Sequence, residues 1–336
     1  MTAPAYTAGR LRAYLEFLAA FIYLILARSL AFSGARGLVG DDLSPLFGQA
    51  MLVFLLIVGY AAMGFWLDHQ RDAISEQGLP YRSGLTREAG MGLATGWGIA
   101  VACVLPLAIF GGIVISFSPE ASQWGWLVAD VAFFALAALA EEIAFRGYAF
   151  QRFERAVGSL GAALGFAIIY AFLQALLPGA NHASFAVSFV LALVLSACYL
   201  RTRALWMSWG LNFGWKASRA LLIGLTVNGN SSHSPIVQGD PMGPLWLTGG
   251  GFGLDGSWLT FFVLLAALPL VFRLTRDLNF RYNAPVIVPG GIPVDLDAAA
   301  RAQHETAMAS TAPAAPVLVQ IENSGTGEPA EREDKE

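Results

Sequence analysis

The chain is organised around long apolar runs that contain almost no charge. Stretches of about 18–22 mostly apolar residues are each long enough to cross a bilayer as a helix. Eight can be read, at residues 13–34, 45–67, 90–116, 124–145, 159–177, 184–200, 204–225 and 257–273. Lipid offers no hydrogen bonds, so a spanning segment must satisfy its own backbone, which selects helices. Composition agrees: of 336 residues 56% are hydrophobic and 13% charged, with a mean hydropathy of +0.57. The expected fold class is all-α, a polytopic integral membrane protein with about eight transmembrane helices.

Charge between the runs alternates. Arg71, Arg82 and Arg87 follow the second run, Arg146, Arg152 and Arg155 the fourth, Arg201 and Arg203 the sixth, and Arg273, Arg276 and Arg281 the eighth. The intervening loops hold little beyond Arg36. The positive-inside rule then describes a multi-pass cell-membrane protein with both termini cytoplasmic. Arg10 and Arg12 precede a first run that is long and followed by no small-residue cleavage site, so it reads as a span rather than a signal peptide. The net charge of −4 gives no reason to expect nucleic acid, because much of the acid sits in the tail. Membrane lipid is the partner that composition implies. Cys103 and Cys198 lie inside apolar segments and read as small hydrophobes. Residues 1–116 form a leading group of transmembrane helices and 117–275 a core. The tail, 276–336, is expected to be mostly disordered from about Asn283, with room for a short amphipathic helix around 295–309. The 226–256 loop is rich in Gly, Asn and Ser, the residues of turns.

Polar residues inside the runs carry the chemistry. Glu141 and Glu142 follow the apolar stretch Val131–Ala140, and Arg146 comes four residues after the second acid. An acid at the centre of a spanning helix costs about 2.5–3.5 kcal/mol, so a pair of them is a functional hypothesis by default. One turn apart, Glu142 and Arg146 share a face on which a guanidinium can hold a carboxylate. Tyr170 and Gln174 are also one turn apart. Asn212, Lys216 and Arg219 fall at i, i+4 and i+7 on one face, and Asp130 lies about three turns before Glu141. Each has a plainer reading. The glutamates could mark the end of a span, the amides could be interhelical glue, and Lys216 and Arg219 could snorkel to an interface. No Cys or His cluster has zinc spacing, so no metal site is assigned.

Over roughly residues 124–270 the chain resembles the CAAX-protease and bacteriocin-processing (CPBP) intramembrane peptidases, relatives of the Ras-converting enzyme. Glu141-Glu142-Ile143-Ala144-Phe145-Arg146-Gly147 matches the first motif, Glu-Glu-x-x-x-Arg, in its Phe-Arg-Gly form. Tyr199-Leu200-Arg201-Thr202 with Leu205-Trp206 is similar to the stretch before the third motif. Trp246 to Gly250, Phe252-Gly253 and Gly256-Ser257 are similar to the loop before the last span. The resemblance implies an intramembrane metalloendopeptidase in which glutamates and motif histidines bind a metal or activate water. The second motif, Phe-x-x-x-His, is here Tyr170 and Gln174, and the third runs from Asn212 to Lys216, so both histidines are replaced. A neutral amide is a poor ligand for zinc and no base near neutral pH. The four histidines, His69, His182, His233 and His304, lie outside the apolar runs, His182 nearest to Gln174.

Three functions compete. One is a CAAX-type peptidase with Glu141 as base and Glu142–Arg146 orienting it. Another is an inactive family member, a scaffold or regulator that binds a membrane segment, peptide or tail. The last is a transporter or channel, disfavoured by the resemblance and by the lack of repeats. No cofactor is expected, and zinc or another divalent metal enters only if the family chemistry survives. On the residues alone the scaffold is favoured. Reporter fusions at Ser232 and at the C-terminus should report opposite sides of the membrane; the same side for both would contradict the charge reading.

Overall fold

Helices follow the apolar runs, with breaks at Gly147 and Gly158 and at the left-handed His69 and Arg203. The computed structural model describes residues 3–110, 112–121, 123–232, 236–282, 301 and 303–306. Its elements run α1 (Ala3–Leu38), α2 (Ser44–Asp68), α3 (Ala73–Glu76), α4 (Leu85–Ile109), β1 (Ile113–Phe117), α5 (Gln123–Arg146), α6 (Tyr148–Val157) and α7 (Ser159–Ala175). Then come α8 (His182–Thr202), α9 (Trp206–Ala217) continued by a π turn (Ser218–Leu222), β2 (Val237–Pro241), α10 (Leu245–Thr248), two 3₁₀ turns, α11 (Trp258–Leu274) and α12 (Arg276–Tyr282). α1 to α12 pack as one compact unit. α8 begins at a capping box in which Asn181 and Ser184 satisfy each other's backbone. The expected tail disorder and the 295–309 helix lie outside the described residues, apart from 301 and 303–306, which are helical.

An all-α membrane architecture is what these elements form. Among the described residues five stretches qualify by length and composition to cross a bilayer, with Trp258–Leu274 a shorter apolar helix. One of the five, Gln123–Ala175, contains α5, α6 and α7, broken at Gly147 and at Gly158, whose φ is +83°. α9 is 12 residues long, about 18 Å, too short to span alone. The third apolar run also ends earlier than its hydropathy suggests. Pro106 removes a donor in the last turn of α4, and the β-branched Ile113, Val114 and Ile115 form strand rather than helix. They pair antiparallel with β2, from Ile113 opposite Pro241 to Phe117 opposite Val237.

α9 is positioned by glycines. Gly92 and Gly96 on α4 face Gly210 and Gly214 on α9, two small-xxx-small stripes that let the backbones touch. A methyl group at Gly96 would lie 2.2 Å from the Leu211 carbonyl oxygen, and one at Gly210 equally close to that of Ala89. With this face against α4, another face of α9 reaches α5, where the Trp209 indole donates to the Ala135 carbonyl at 2.9 Å. Several arginines gather at the end of the bundle where α2 stops and α9 starts. There Arg152, fully buried, pairs with Asp68 and with Glu16 at 3.5 Å, and Tyr148 donates to Asp68 at 2.9 Å. Arg82 meets Glu88 at 2.6 Å and the Thr202 carbonyl at 3.0 Å, and Arg203 meets Glu154 at 3.0 Å. Gly96→Ala should therefore destabilise the protein by about 1–3 kcal/mol. Gly98→Ala, with no atom within 4 Å of the added carbon, should be neutral or mildly stabilising. Equal melting temperatures for the two variants would contradict the α4–α9 contact.

Candidate active site

The site forms where the last turns of α5 meet α9 and α7. Glu141 and Glu142 are adjacent and so point about 100° apart. Glu142 turns inward and is fully buried. The Glu141 side chain keeps 26% of its surface, on a cavity of about 960 Å³. Aromatic walls from α1 (Phe21, Phe32) and α5 (Phe134, Phe145) enclose that space, and Tyr170, Gln174 and Lys216 share it with Glu141.

Each carboxylate is held by named donors. Arg146 reaches Glu142 Oε1 at 3.4 Å along the helix, and its other terminal nitrogen donates to the Ala192 carbonyl on α8 at 3.1 Å. The Asn212 amide bridges the pair, donating to Glu142 Oε1 at 3.0 Å and Glu141 Oε2 at 3.1 Å. One NH₂ group thus serves both acids, which leaves the Asn212 carbonyl oxygen buried with no partner among the described residues. Lys216, one turn on, forms a salt bridge with Glu141 Oε1. Tyr170 donates to Glu141 Oε2 at 3.4 Å, and Gln174 stands behind it, donating to the tyrosine oxygen at 2.9 Å. Glu141, Glu142, Arg146, Tyr170, Gln174, Asn212 and Lys216 are thereby one connected group.

Other sequence candidates go elsewhere. Arg219 departs from the Asn212–Lys216 face because the π turn rotates it; it meets Asp255 at 2.7 Å and lies over the Trp215 ring, 3.9 Å from its centroid. Trp215 also donates to Asp255, at 3.3 Å. Asp255, which sequence reasoning passed over as one acid in a glycine-rich loop, is buried and ties that loop to α9. Asp130 is buried three turns away, beside a small recess that Asp42 and Leu46 share. His69 ends α2 and His182 begins α8; both are exposed and neither lines the cavity.

The donor set does not suit a metal. The Asn212 amide donates hydrogen bonds to both carboxylates, and a cation already sits on Glu141 Oε1. A divalent ion would have to displace an ammonium and accept amides in its place, chemistry that zinc does not favour. Among the described residues no three His, Cys, Asp or Glu side chains are grouped to hold one.

Residues 123–218 match the family model described as type II CAAX prenyl endopeptidase Rce1-like. Over that segment the chain is similar to the Rce1-like family. The match runs from the start of α5 into the π turn, so it contains every member of the carboxylate group and excludes α1, α2 and the Asp255 loop. No curated protein and no solved structure matches the chain. Within the matched segment, Asn212 donates to both carboxylates and Gln174 donates to Tyr170. Lys216→Met should leave a carboxylate without its cation, at about 3–5 kcal/mol. Combining it with Glu141→Gln should recover most of that loss; equal losses in the single and double variants would leave Lys216 without this role.

Proposed function

We propose that this chain is a non-hydrolysing Rce1-like membrane protein that binds a membrane-embedded segment or peptide as a scaffold or regulator. The observation that carries the reading is the Lys216–Glu141 ion pair. A base for water must offer an oxygen to an incoming water molecule, within about 2.6–3.2 Å of its proton. In this chain Oε1 of Glu141 is held by an ammonium, and Oε2 already accepts from Asn212 and Tyr170. The group is built to keep two acids charge-balanced between α5 and α9, which suits a rigid binding wall. The arginine-rich end supports cytoplasmic termini in a cell membrane. Eight crossings follow if α5 and α7 cross separately and if α9 with its π turn, and α11, are counted with the longer helices.

One observation favours the other reading, an endopeptidase acting through Glu141. That side chain faces a cavity large enough for a substrate segment. The two are separated by incubating a prenylated CAAX peptide with membranes that hold wild-type or Glu141→Ala protein. The scaffold reading expects equal, background cleavage. A rate present in wild type and at least 10²-fold lower in Glu141→Ala, the order expected of a lost general base, would establish the peptidase instead.

A further inference from the structure

The cavity has a second chemical end that the carboxylate group does not use. Arg28 and Arg36, two turns apart on α1, both line it, together with Ser29, Ser33, Asn228 and Asn230. Neither arginine is in an ion pair among the described residues. Arg28 lies over the Phe32 ring at 5.1 Å, and Arg36 donates to the Phe32 carbonyl at 3.2 Å. Among the described residues Glu141 is the one acid that lines it, and Lys216 already pairs with it. Among those residues the cavity therefore carries two positive charges with no acid beside them. Arg28 is ten residues, about 15 Å, before the end of α1, within a stretch apolar enough to span. A guanidinium at that depth calls for water or an anion.

The mouth of the cavity shows what kind of anion. Ile25 on α1 and Leu173 on α7 line it and are also 55% and 47% exposed. Leu26, Leu30 and Leu176 nearby are exposed and apolar too. The opening thus lies in the surface that faces acyl chains. An extended peptide passing through it would bring unsatisfied N–H and C=O groups into hydrocarbon; an acyl chain has none to satisfy.

We propose that this cavity binds an anionic phospholipid, its phosphate between Arg28 and Arg36 and an acyl chain leaving between α1 and α7. A guanidinium pairs with phosphate through parallel N–H bonds, and the serines and asparagines supply further donors for the headgroup. The proposal shares with the scaffold reading only the view that the cavity is a binding site. It holds whether or not Glu141 hydrolyses anything.

The full chain, purified in detergent and stripped of lipid, is titrated with phosphatidylglycerol and with phosphatidylcholine and read by native mass spectrometry. Phosphatidylglycerol should bind at least roughly tenfold more tightly. Arg28→Gln with Arg36→Gln should abolish the preference, and Arg28→Lys with Arg36→Lys, which keeps the charge if the glutamine variant fails to fold, should retain part of it. Equal binding of the two lipids, or an undiminished preference in the glutamine variant, overturns the proposal. Inorganic phosphate or an acidic peptide displacing phosphatidylglycerol at equal concentration overturns it as well, by assigning the arginines a soluble ligand. Glu141→Ala should keep the preference, so cleavage by the wild type would remove the scaffold reading and leave this one standing.

Discussion

Charge placed inside a membrane bundle must be balanced where it sits, and the rest of this structure follows from that constraint. Two adjacent glutamates bring two negative charges to the same turn of α5. Arg146 answers one within the helix, and Lys216 answers the other from α9. For Lys216 to arrive, α9 must lie close, and it does so by pressing a glycine stripe onto α4 while Trp209 bonds to α5. The π turn then sends Arg219 away to Asp255, so that Lys216 and Arg219 each meet a different acid. Breaking such a pair from one side leaves a charge in low dielectric, which costs more than the pair contributes.

The same rule accounts for the leading helices. Arg152 lies fully buried between Asp68 and Glu16, which joins the ends of α1 and α2 to α6. Held at that end, α1 runs on past α5 and forms one wall of the cavity with its Phe21 to Arg36 face. The Rce1-like segment contributes the carboxylates, and a helix outside that segment contributes the opposite wall.

Much of this was legible in the residues, for reasons that can be named. A twenty-residue apolar run has few ways to fold in lipid, so the helices were plain. The Glu141, Glu142 and Arg146 spacing is local geometry, and so is the Asn212–Lys216 spacing that placed both on one face. What escaped depended on partners far along the chain. Gly92, Gly96, Gly210 and Gly214 look like ordinary glycines until two helices are laid together. Ile113 to Ile115 are apolar enough to extend a span, and only pairing with Val237–Pro241 makes them a strand. Arg219 left its expected face because a π turn adds a residue that no helical wheel includes. Arg28 was passed over inside a run, 13–34, that is otherwise almost entirely apolar.

Lys216 and Glu141 are in direct contact across α5 and α9, and the ammonium occupies a carboxylate oxygen that a water-activating base would need free. A membrane-permeant carbodiimide tests this on the intact protein, since it joins a carboxyl and an amine only where they already touch. Mass spectrometry of the digested product should find an amide linking Glu141 to Lys216, lost in Lys216→Met. A Glu141 adduct of the reagent with no link to Lys216 would mean that the carboxylate is open and that no ion pair joins α5 to α9 there.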